Sequence, residues 1–374
     1  MISTRLHASI DYALATLFAG LAASRALSPP VRGMLGTTAA FHAGASVLTD
    51  YEGGLQPRLT MRQHLMLDVL GATALCGAGL LMRRQPPAHR ALLVAAGLAE
   101  LTVVALSDTA PVSGPGQGSG ALGRLLGQPA QRNPAAYSPL DTPKPMAEGV
   151  WTVDSVMPGT LSRVLPLRMT IIRLPDGDLL LHSPTPFSIA LKDELERLGR
   201  IRHLAAPNVA HWVFLKEWQE ACPDATTWAA PGLRQRAQVR RSGLRLDHDL
   251  SDAAPAEWSD AVALVEVPGG LGFNEIAFFH RPTRTLVLTD LVVNVESQRL
   301  PALLRPLIRL FGSTAPDGMP PPYLRAIVKM RRPAAAAAER LLALQPERVV
   351  FAHGRCFEHD GAAALRRSLR WLLP

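Results

Sequence analysis

The chain has few cysteines, few aromatic residues and no basic run interleaved with aromatics. Its three cysteines, Cys76, Cys222 and Cys356, are far apart and form no C-x-x-C pair. This usage excludes a disulfide framework and a cysteine-based zinc knuckle. The net charge is +8, but because the arginines are not interleaved with aromatic side chains, nucleic acid is not an expected partner.

Charged residues are also scarce, at 19% against 48% hydrophobic residues, and the apolar excess is concentrated before about residue 108. Four apolar segments, rich in Ala, Gly and Leu, approach the ~20 residues that a bilayer-spanning helix needs. The apolar character recurs four times without a convincing cleavage site, so a signal peptide is not indicated. We therefore predict a multi-pass membrane protein in contact with lipid. The segments cover residues 10–27, 34–48, 65–82 and 91–106.

The apolar region contains an internal duplication. The stretches "RLHASID" (residues 5–11) and "RQHLMLD" (residues 62–68) share the pattern R-x-H-x-x-x-D. Later in each repeat, Thr49 corresponds to Ser107, and His42 corresponds to Glu100. A repeated two-helix unit of this kind predicts a four-helix transmembrane bundle over residues 1–108, built from two similar hairpins.

In each repeat a histidine and an aspartate are four residues apart, His7 with Asp11 and His64 with Asp68. On a helix, each pair lies on one face. Two interpretations are open. Ionisable groups at membrane depth are costly unless they are used, which favours a proton, metal or quinone-type site between the repeats. Alternatively, the pairs lie in the first helical turn at headgroup level, where an aspartate favours the helix N-terminus.

The first 108 residues resemble small bacterial four-helix membrane proteins of the SPW-repeat type. The similar features are the His-x-x-x-Asp patterns that open the helices and the loop "TDYEGG", residues 49–54. The tryptophan that names that family is absent from these helices, and the resemblance implies no particular chemistry. The arginines of the loops barely discriminate between the two orientations. The cytoplasm is slightly favoured for the C-terminal part.

A change in composition follows. Residues 109–148 are dense in Pro, Gly, Ser and Gln, a composition that cannot bury a core and predicts a flexible linker. From residue 149 to 374, short β-rich runs alternate with helical stretches, which predicts an α/β layered domain. The turn "HRPTRT", residues 280–285, predicts an antiparallel hairpin whose second strand ends at Asp290.

Polar side chains follow three of the predicted strands. Asn208 and His211 come after "IRHLAAP", Asp290 ends "TLVLTD", and His353 follows "RVVFA". Strand ends that meet at one edge of a sheet are a common place for a site. The sequence therefore predicts that these side chains lie close together.

The same region resembles the DUF4336 family, which is similar to the metallo-β-lactamase fold, an αββα sandwich. In metallo-β-lactamase-like hydrolases the metals are held by an H-x-H-x-D-H loop, a P-G-H motif, an aspartate that ends a strand, and a last histidine. Here Asp290 and His353 match the last two, "PNVAHW" retains only His211, and "VPGGLG" has Gly270 in place of a histidine. The matching stretches are "VWTVDSVMP", "MTIIRLPDGDLLLHSPTP", "IRHLAAPNVAHWVFLKEW", "TTWAAPGL", "EIAFFHRPTRTLVLTDLVVN" and "VVFAHG".

The resemblance implies a reduced metal site. His211, Asp290 and His353 suit one zinc or iron ion with an open position, and His182, at the end of "DLLLH", is a candidate fourth ligand. Two further alternatives stay open. One is a scaffold that has lost its metals and acts as an inactive binding module. The other places the function in the membrane half. The function expected ahead of these two alternatives is that of a membrane-tethered, metal-dependent hydrolase that acts on a small-molecule substrate.

Overall fold

The computed structural model describes residues 4–51, 54–56, 58–107, 136–156, 166–300 and 305–373. The chain divides into two compact units, residues 1–117 and 118–374, and each is described by itself. The division lies inside the predicted linker of residues 109–148. Residues 109–135 of that linker are outside the described residues.

Four helices make up the described part of the first unit, and they begin earlier than the apolar segments do. Proline occupies the first position of α2 and α4, where its missing N–H costs nothing, and α3 begins with a capping box between Thr60 and Gln63. The early starts place both His-x-x-x-Asp pairs within helices. The helices are α1 (Thr4–Ala23), α2 (Pro29–Leu48), α3 (Met61–Leu81) and α4 (Pro87–Leu106).

The helices pack as α1 with α2, α3 with α4, and α2 with α3, in keeping with the two predicted hairpins. Phe18, Val31, Leu35, Leu75 and Leu93 form the apolar core between them. Three of the helices, α1, α3 and α4, are long and apolar enough to cross a membrane by length and composition. The four-span transmembrane bundle itself stays a prediction.

The second unit is built on a seven-stranded sheet with the strand order β1-β2-β3-β4-β5-β6-β7. Strands β1 to β4 are antiparallel neighbours, whereas β4 to β7 are parallel. The first strand lies before residue 149, so the sheet begins inside the predicted linker. The strands are β1 (Pro143–Ala147), β2 (Val150–Val156), β3 (Pro166–Arg173), β4 (Leu179–His182), β5 (Ile201–Ala206), β6 (Thr226–Ala229) and β7 (His248–Asp249).

A second, four-stranded sheet has the order β12-β10-β9-β8, and β11 pairs with β13 beside it. The predicted hairpin is confirmed, because β9 and β10 are antiparallel with Thr285 opposite His280. Ile172 and Leu180 of the first sheet share one buried cluster with Phe278 of the second. The strands are β8 (Val262–Pro268), β9 (Asn274–His280), β10 (Thr285–Val287), β11 (Val293–Asn294), β12 (Arg348–Val350) and β13 (His353–Gly354).

Helices contact both sheets, as α6 packs against β5, α10 against β8 and α11 against β12. The predicted α/β layered architecture is therefore confirmed for the second unit. The helix that follows β5 begins at Leu215, so His211 lies in the turn before it. The helices are α5 (Ile189–Glu196), α6 (Leu215–Ala221), α7 (Ala237–Ser242), α8 (Arg305–Leu310), α9 (Pro322–Lys329), α10 (Pro333–Ala343) and α11 (Gly361–Ser368).

Candidate metal centre

Three of the predicted site residues come together in the second unit. His211 lies in the turn after β5, Asp290 lies after β10, and His353 opens β13. The Nε2 atoms of His211 and His353 are each 3.3 Å from Oδ1 of Asp290. The three side chains keep between 7% and 16% of their surface exposed, so the group is accessible from solvent.

The ring of His353 is held by the first sheet. Its Nδ1 lies 2.8 Å from the carbonyl oxygen of Pro166 at the start of β3. A carbonyl oxygen can only accept, so Nδ1 carries a proton and Nε2 is the ring nitrogen that can bind a metal ion. Arg168, two residues further along β3, donates to the carbonyls of Phe351 and Gly354 at 2.9 Å and 2.7 Å. These bonds fix the segment on both sides of His353.

The ring of His211 is held through its other nitrogen as well. Ser183 follows β4, and its Oγ is 2.6 Å from Nδ1 of His211. Ser183 has a φ of 55°, in the left-handed region that a serine rarely adopts. The backbone N–H groups of Ala210 and His211 donate to Oδ1 of Asn208 at 2.8 Å and 3.0 Å. This turn, closed by the Asn208 side chain, keeps His211 out of the following helix.

The carboxylate of Asp290 is oriented by two polar residues. Nδ2 of Asn208 donates to Oδ2 of Asp290 at 2.7 Å, which leaves Oδ1 facing the imidazoles. The backbone N–H groups of Thr289 and Asp290 donate to Oε1 and Oε2 of Glu275, each at 2.8 Å. Glu275 is fully buried, and the sequence predictions missed it. The one available signal was a glutamate within the otherwise mostly apolar strand "NEIAFFH".

The pKa values of the two buried carboxyl groups, Asp290 and Glu275, are shifted in opposite directions. Burial would raise the pKa of Asp290, but the charges and hydrogen bonds of His211 and His353 outweigh it and hold that pKa well below its usual range. Burial raises the pKa of Glu275, and the nearby Asp290 carboxylate raises it further. For His211, burial lowers the pKa, yet Asp290 reverses the sign and the pKa is raised. Asp290 is thus the ionised member of the pair.

The remaining predicted residues of this unit have other surroundings. His182 is not part of the group of three; its ring packs edge-on against Phe278 with the centroids 4.8 Å apart. Burial and the charge of His211 lower the pKa of His182 to about 3, so the ring is neutral. Asn208 uses both ends of its amide to orient His211 and Asp290, and it is a positioning residue.

The donor set fits one transition-metal ion. Two ligand atoms that each lie ~2.0–2.1 Å from one metal ion, in a tetrahedral arrangement, are about 3.3 Å apart. The Nε2 atoms of His211 and His353 each lie at that distance from Oδ1 of Asp290. Two imidazoles and one carboxylate with a further position open are typical of catalytic zinc and of non-haem iron(II). His211, Asp290 and His353 would be the ligands.

The position that corresponds to the P-G-H histidine is closed. The N–H of Gly270 donates to the carbonyl of Ile327 in α9 at 2.8 Å. A Cβ added to Gly270 would lie 2.7 Å from Sδ and 2.8 Å from Cβ of Met330. The end of α9 therefore occupies the space into which a histidine ligand would extend.

Substituting Gly270→His is accordingly expected to destabilise the second unit and not to add a second metal ion. Overpacking of this kind typically costs ~1–3 kcal/mol. Urea denaturation and elemental analysis of the variant would measure both effects. The double substitution Gly270→His with Met330→Ala should recover part of the stability. A stable single variant that binds an additional metal ion would contradict this expectation.

The four predicted residues of the first unit also meet. His7, Asp11, His64 and Asp68 are all buried, and one ligand atom from each lies within 4.8 Å of the others. The four residues therefore meet inside the helical unit, and the alternative placement of the pairs at headgroup level stays a prediction.

Solved structures similar to this chain include two metallo-β-lactamases and an oxidoreductase. A metallo-β-lactamase from Hirschia baltica is 15% identical, covering 62% of this chain and 97% of its own, with a TM-score of 0.42. The metallo-β-lactamase FIM-1 from Pseudomonas aeruginosa in its mono-zinc form is 14% identical, covering 62% and 94%, with a TM-score of 0.42. Rubredoxin oxygen:oxidoreductase from Desulfovibrio gigas is 13% identical, covering 62% and 61%, with a TM-score of 0.45.

At these identities and TM-scores the likenesses carry no information about activity. No curated protein matches the chain. The resemblance of the first 108 residues to SPW-repeat proteins stays a prediction. For the C-terminal part the predicted resemblance is confirmed, since residues 147–308 match the model of the family described as Domain of unknown function (DUF4336).

Proposed function

We propose that the second unit is a metal-dependent hydrolase that binds one zinc or iron ion through His211, Asp290 and His353 and acts on a small-molecule substrate. One observation carries the proposal. Both imidazoles direct Nε2 at the same carboxylate oxygen, at 3.3 Å, while their Nδ1 atoms are held by Ser183 and the carbonyl of Pro166. Rings that are fixed through Nδ1 and direct Nε2 at a shared position are the arrangement that metal-binding histidines adopt.

Each residue has a defined part in this proposal. The two histidines and Asp290 hold the ion, which when bound supplies a Lewis acid that lowers the pKa of a water molecule. Asn208 and Glu275 keep Oδ1 of Asp290 directed at the imidazoles through the bonds to Oδ2 and to the backbone. Tyr323 of α9 adds a phenol whose pKa is raised by burial and by the charge of Asp290, and it therefore stays protonated.

The first unit is proposed as a membrane anchor. Helices α1, α3 and α4 have the length and composition of membrane spans. Large apolar side chains on α3 and α4 are exposed in the structure, from 39% for Val69 to 78% for Leu81. Lipid would cover such side chains, which would otherwise be in unfavourable contact with water.

Elemental analysis of the purified full chain in detergent tests the metal site. Substituting Asp290→Asn should remove about one equivalent of zinc or iron, since it deletes the one charged ligand. Asp224→Asn is the matched control, because that carboxylate is 77% exposed and forms a surface ion pair with Arg200. Equal metal content in the two variants and in the unsubstituted chain would contradict the proposal.

Turnover is tested on the same samples with chromogenic carboxylic esters, phosphodiesters and a β-lactam. We expect hydrolysis of at least one class, lost in Asp290→Asn and retained in Asp224→Asn.

A second candidate is a binding module without catalysis. The packing of α9 against Gly270 favours it, because that packing removes a ligand position of the family pattern. Such a module would bind metal and hydrolyse none of these substrates.

A further inference from the structure

The His-x-x-x-Asp pairs of the first unit form one cluster. His7 and Asp11 come from α1, His64 and Asp68 come from α3, and each of the four is no more than 2% exposed. The cluster thus consists of two copies of the same pair, one from each repeat. Ionisable groups at this depth in a unit made of apolar helices are costly unless they are paired or bind a cation.

Hydroxyl groups fix the protonated nitrogen of both rings. Nδ1 of His7 is 2.6 Å from Oγ of Ser107, and Nδ1 of His64 is 2.7 Å from Oγ1 of Thr49. The Ser107 hydroxyl donates its hydrogen to the carbonyl of Val103, and the Thr49 hydroxyl donates to that of Ala45. Each hydroxyl must therefore accept from the imidazole, so the proton is on Nδ1 and the lone pair of the neutral ring is on Nε2.

Both lone pairs face carboxylates. Nε2 of His64 is 2.8 Å from Oδ2 of Asp11 and 3.1 Å from Oδ2 of Asp68. Nε2 of His7 is 3.1 Å from the same Asp68 oxygen and 3.3 Å from Oδ1 of Asp11. A lone pair and a carboxylate repel each other at these distances unless a positive charge lies between them.

The distances fit a metal ion as that positive charge. Nε2 of His64 lies close to both carboxylates, yet it has no hydrogen-bond partner among the described residues. Ligand atoms bound at ~2.0–2.2 Å to one ion are about 2.8–3.6 Å apart for angles between 90° and the tetrahedral value. The four contacts of 2.8–3.3 Å fall within that range. The supporting Tyr51 hydroxyl donates to Asp11 at 3.0 Å.

We propose that this cluster is a second metal site, which holds one divalent transition-metal ion through Nε2 of His7 and His64 and through one oxygen each of Asp11 and Asp68. Two imidazoles and two carboxylates suit zinc or iron(II). Thr49 and Ser107 act as positioning residues that direct Nε2 at the ion. Unlike the centre in the second unit, this site has four protein ligands and is of the closed, structural kind.

The cluster continues on one side. Nδ1 of His42 is 3.7 Å from Oδ1 of Asp68, and Nε2 of His42 is 3.1 Å from Oε1 of Glu100. These two residues occupy corresponding positions in the repeats but differ in type, so the duplication is not exact here. His42 approaches the oxygen of Asp68 that does not face His7 and His64, and Glu100 contacts His42. We assign both residues to the surroundings of the site and not to its ligands.

The test uses the full chain carrying Asp290→Asn, so that the second unit contributes no metal of its own. Purified in detergent, this chain should retain about one equivalent of zinc or iron, as a four-ligand site does. Adding Asp68→Asn or His64→Gln should remove it. Adding His89→Gln should leave the metal content unchanged. His89 belongs to the same unit, but its side chain contacts Ser28, just before α2, and not the cluster.

A spectroscopic measurement covers the case in which a variant fails to fold. Cobalt(II) added to the metal-depleted Asp290→Asn chain should give the intense visible absorption of a four-coordinate site, and excess zinc should abolish it. The proposal is overturned if this chain binds neither zinc, iron nor cobalt, since the imidazoles would then be protonated. It is also overturned if metal content is unchanged in both Asp68→Asn and His64→Gln. If the proposed metal centre of the second unit did not exist, the Asp290→Asn chain and the unsubstituted chain would contain the same amount of metal. That result is distinct from the two outcomes that overturn the site in the first unit.

Discussion

Replacing Arg168 by leucine is expected to lower the free energy of unfolding of the second unit by about 3–5 kcal/mol, the usual cost of breaking a buried ion pair. The Arg168 guanidinium is buried and forms an ion pair with Asp154, with Nη2 2.6 Å from Oδ1. It also donates to the carbonyls of Phe351 and Gly354. The substitution would remove the guanidinium partner of the buried Asp154 carboxylate, which keeps its pairing with Lys144, and would take a donor from both carbonyls.

Tryptophan fluorescence during urea denaturation measures this effect selectively, because all six tryptophans lie at or after Trp151. Arg173→Leu is the matched control on the same strand. Its side chain is exposed over the Trp151 ring, and the loss should stay below about 1 kcal/mol. If the two variants had similar urea midpoints, the buried bonds of Arg168 would contribute little to the free energy of unfolding. Since the same bonds fix His353, Arg168→Leu should also retain less metal.

The second large effect is expected for Glu275→Leu. The N–H groups of Thr289 and Asp290 would lose their acceptors in a fully buried position. Each unsatisfied group costs ~1–3 kcal/mol, so the variant should be destabilised by about 2–6 kcal/mol. Residues that orient a ligand typically contribute 10–100-fold to metal affinity, and we expect a loss in that range.

Glu275→Gln is the informative comparison, because its amide oxygen can still accept one of the two N–H groups. Zinc titration and urea denaturation should place it between the unsubstituted chain and Glu275→Leu. If the leucine variant bound zinc as tightly as the unsubstituted chain, Glu275 would not orient Asp290.

The sequence predicted the parts of this site that depend on local pattern. The hairpin around "HRPTRT" places Asp290 after β10, and the strand ends bring His211 and His353 toward it. The network that holds them could not be predicted in this way. Arg168 and the carbonyl of Gly354 are 186 residues apart, and neither residue type nor spacing marks them as partners. Gly270 was recognised as a missing ligand, but only the packing of α9 shows that its position is filled.

In the helical unit the repeat had predictive value because duplication copies contacts as well as residues. It related Thr49 to Ser107, and the structure places both hydroxyls on equivalent histidines. The interpretation at headgroup level relied on the positions of His7 and His64 near the ends of the apolar segments. The helices begin earlier than those segments, at Thr4 and Met61, so His7 and His64 lie in the first turn and their aspartates one turn further in.

The pairing of Lys144 with Asp154 determines where a soluble fragment should begin. Lys144 lies on β1 and also donates to the carbonyl of Tyr137 at 2.7 Å, while the Tyr137 ring lies under Arg168 at 5.2 Å. A fragment cut at residue 149 would expose the edge of β2 and remove one of the two cations that neutralise Asp154. A fragment that begins at residue 136 retains both cations, Lys144 and Arg168. It therefore also retains the bonds from Arg168 that fix the segment around His353.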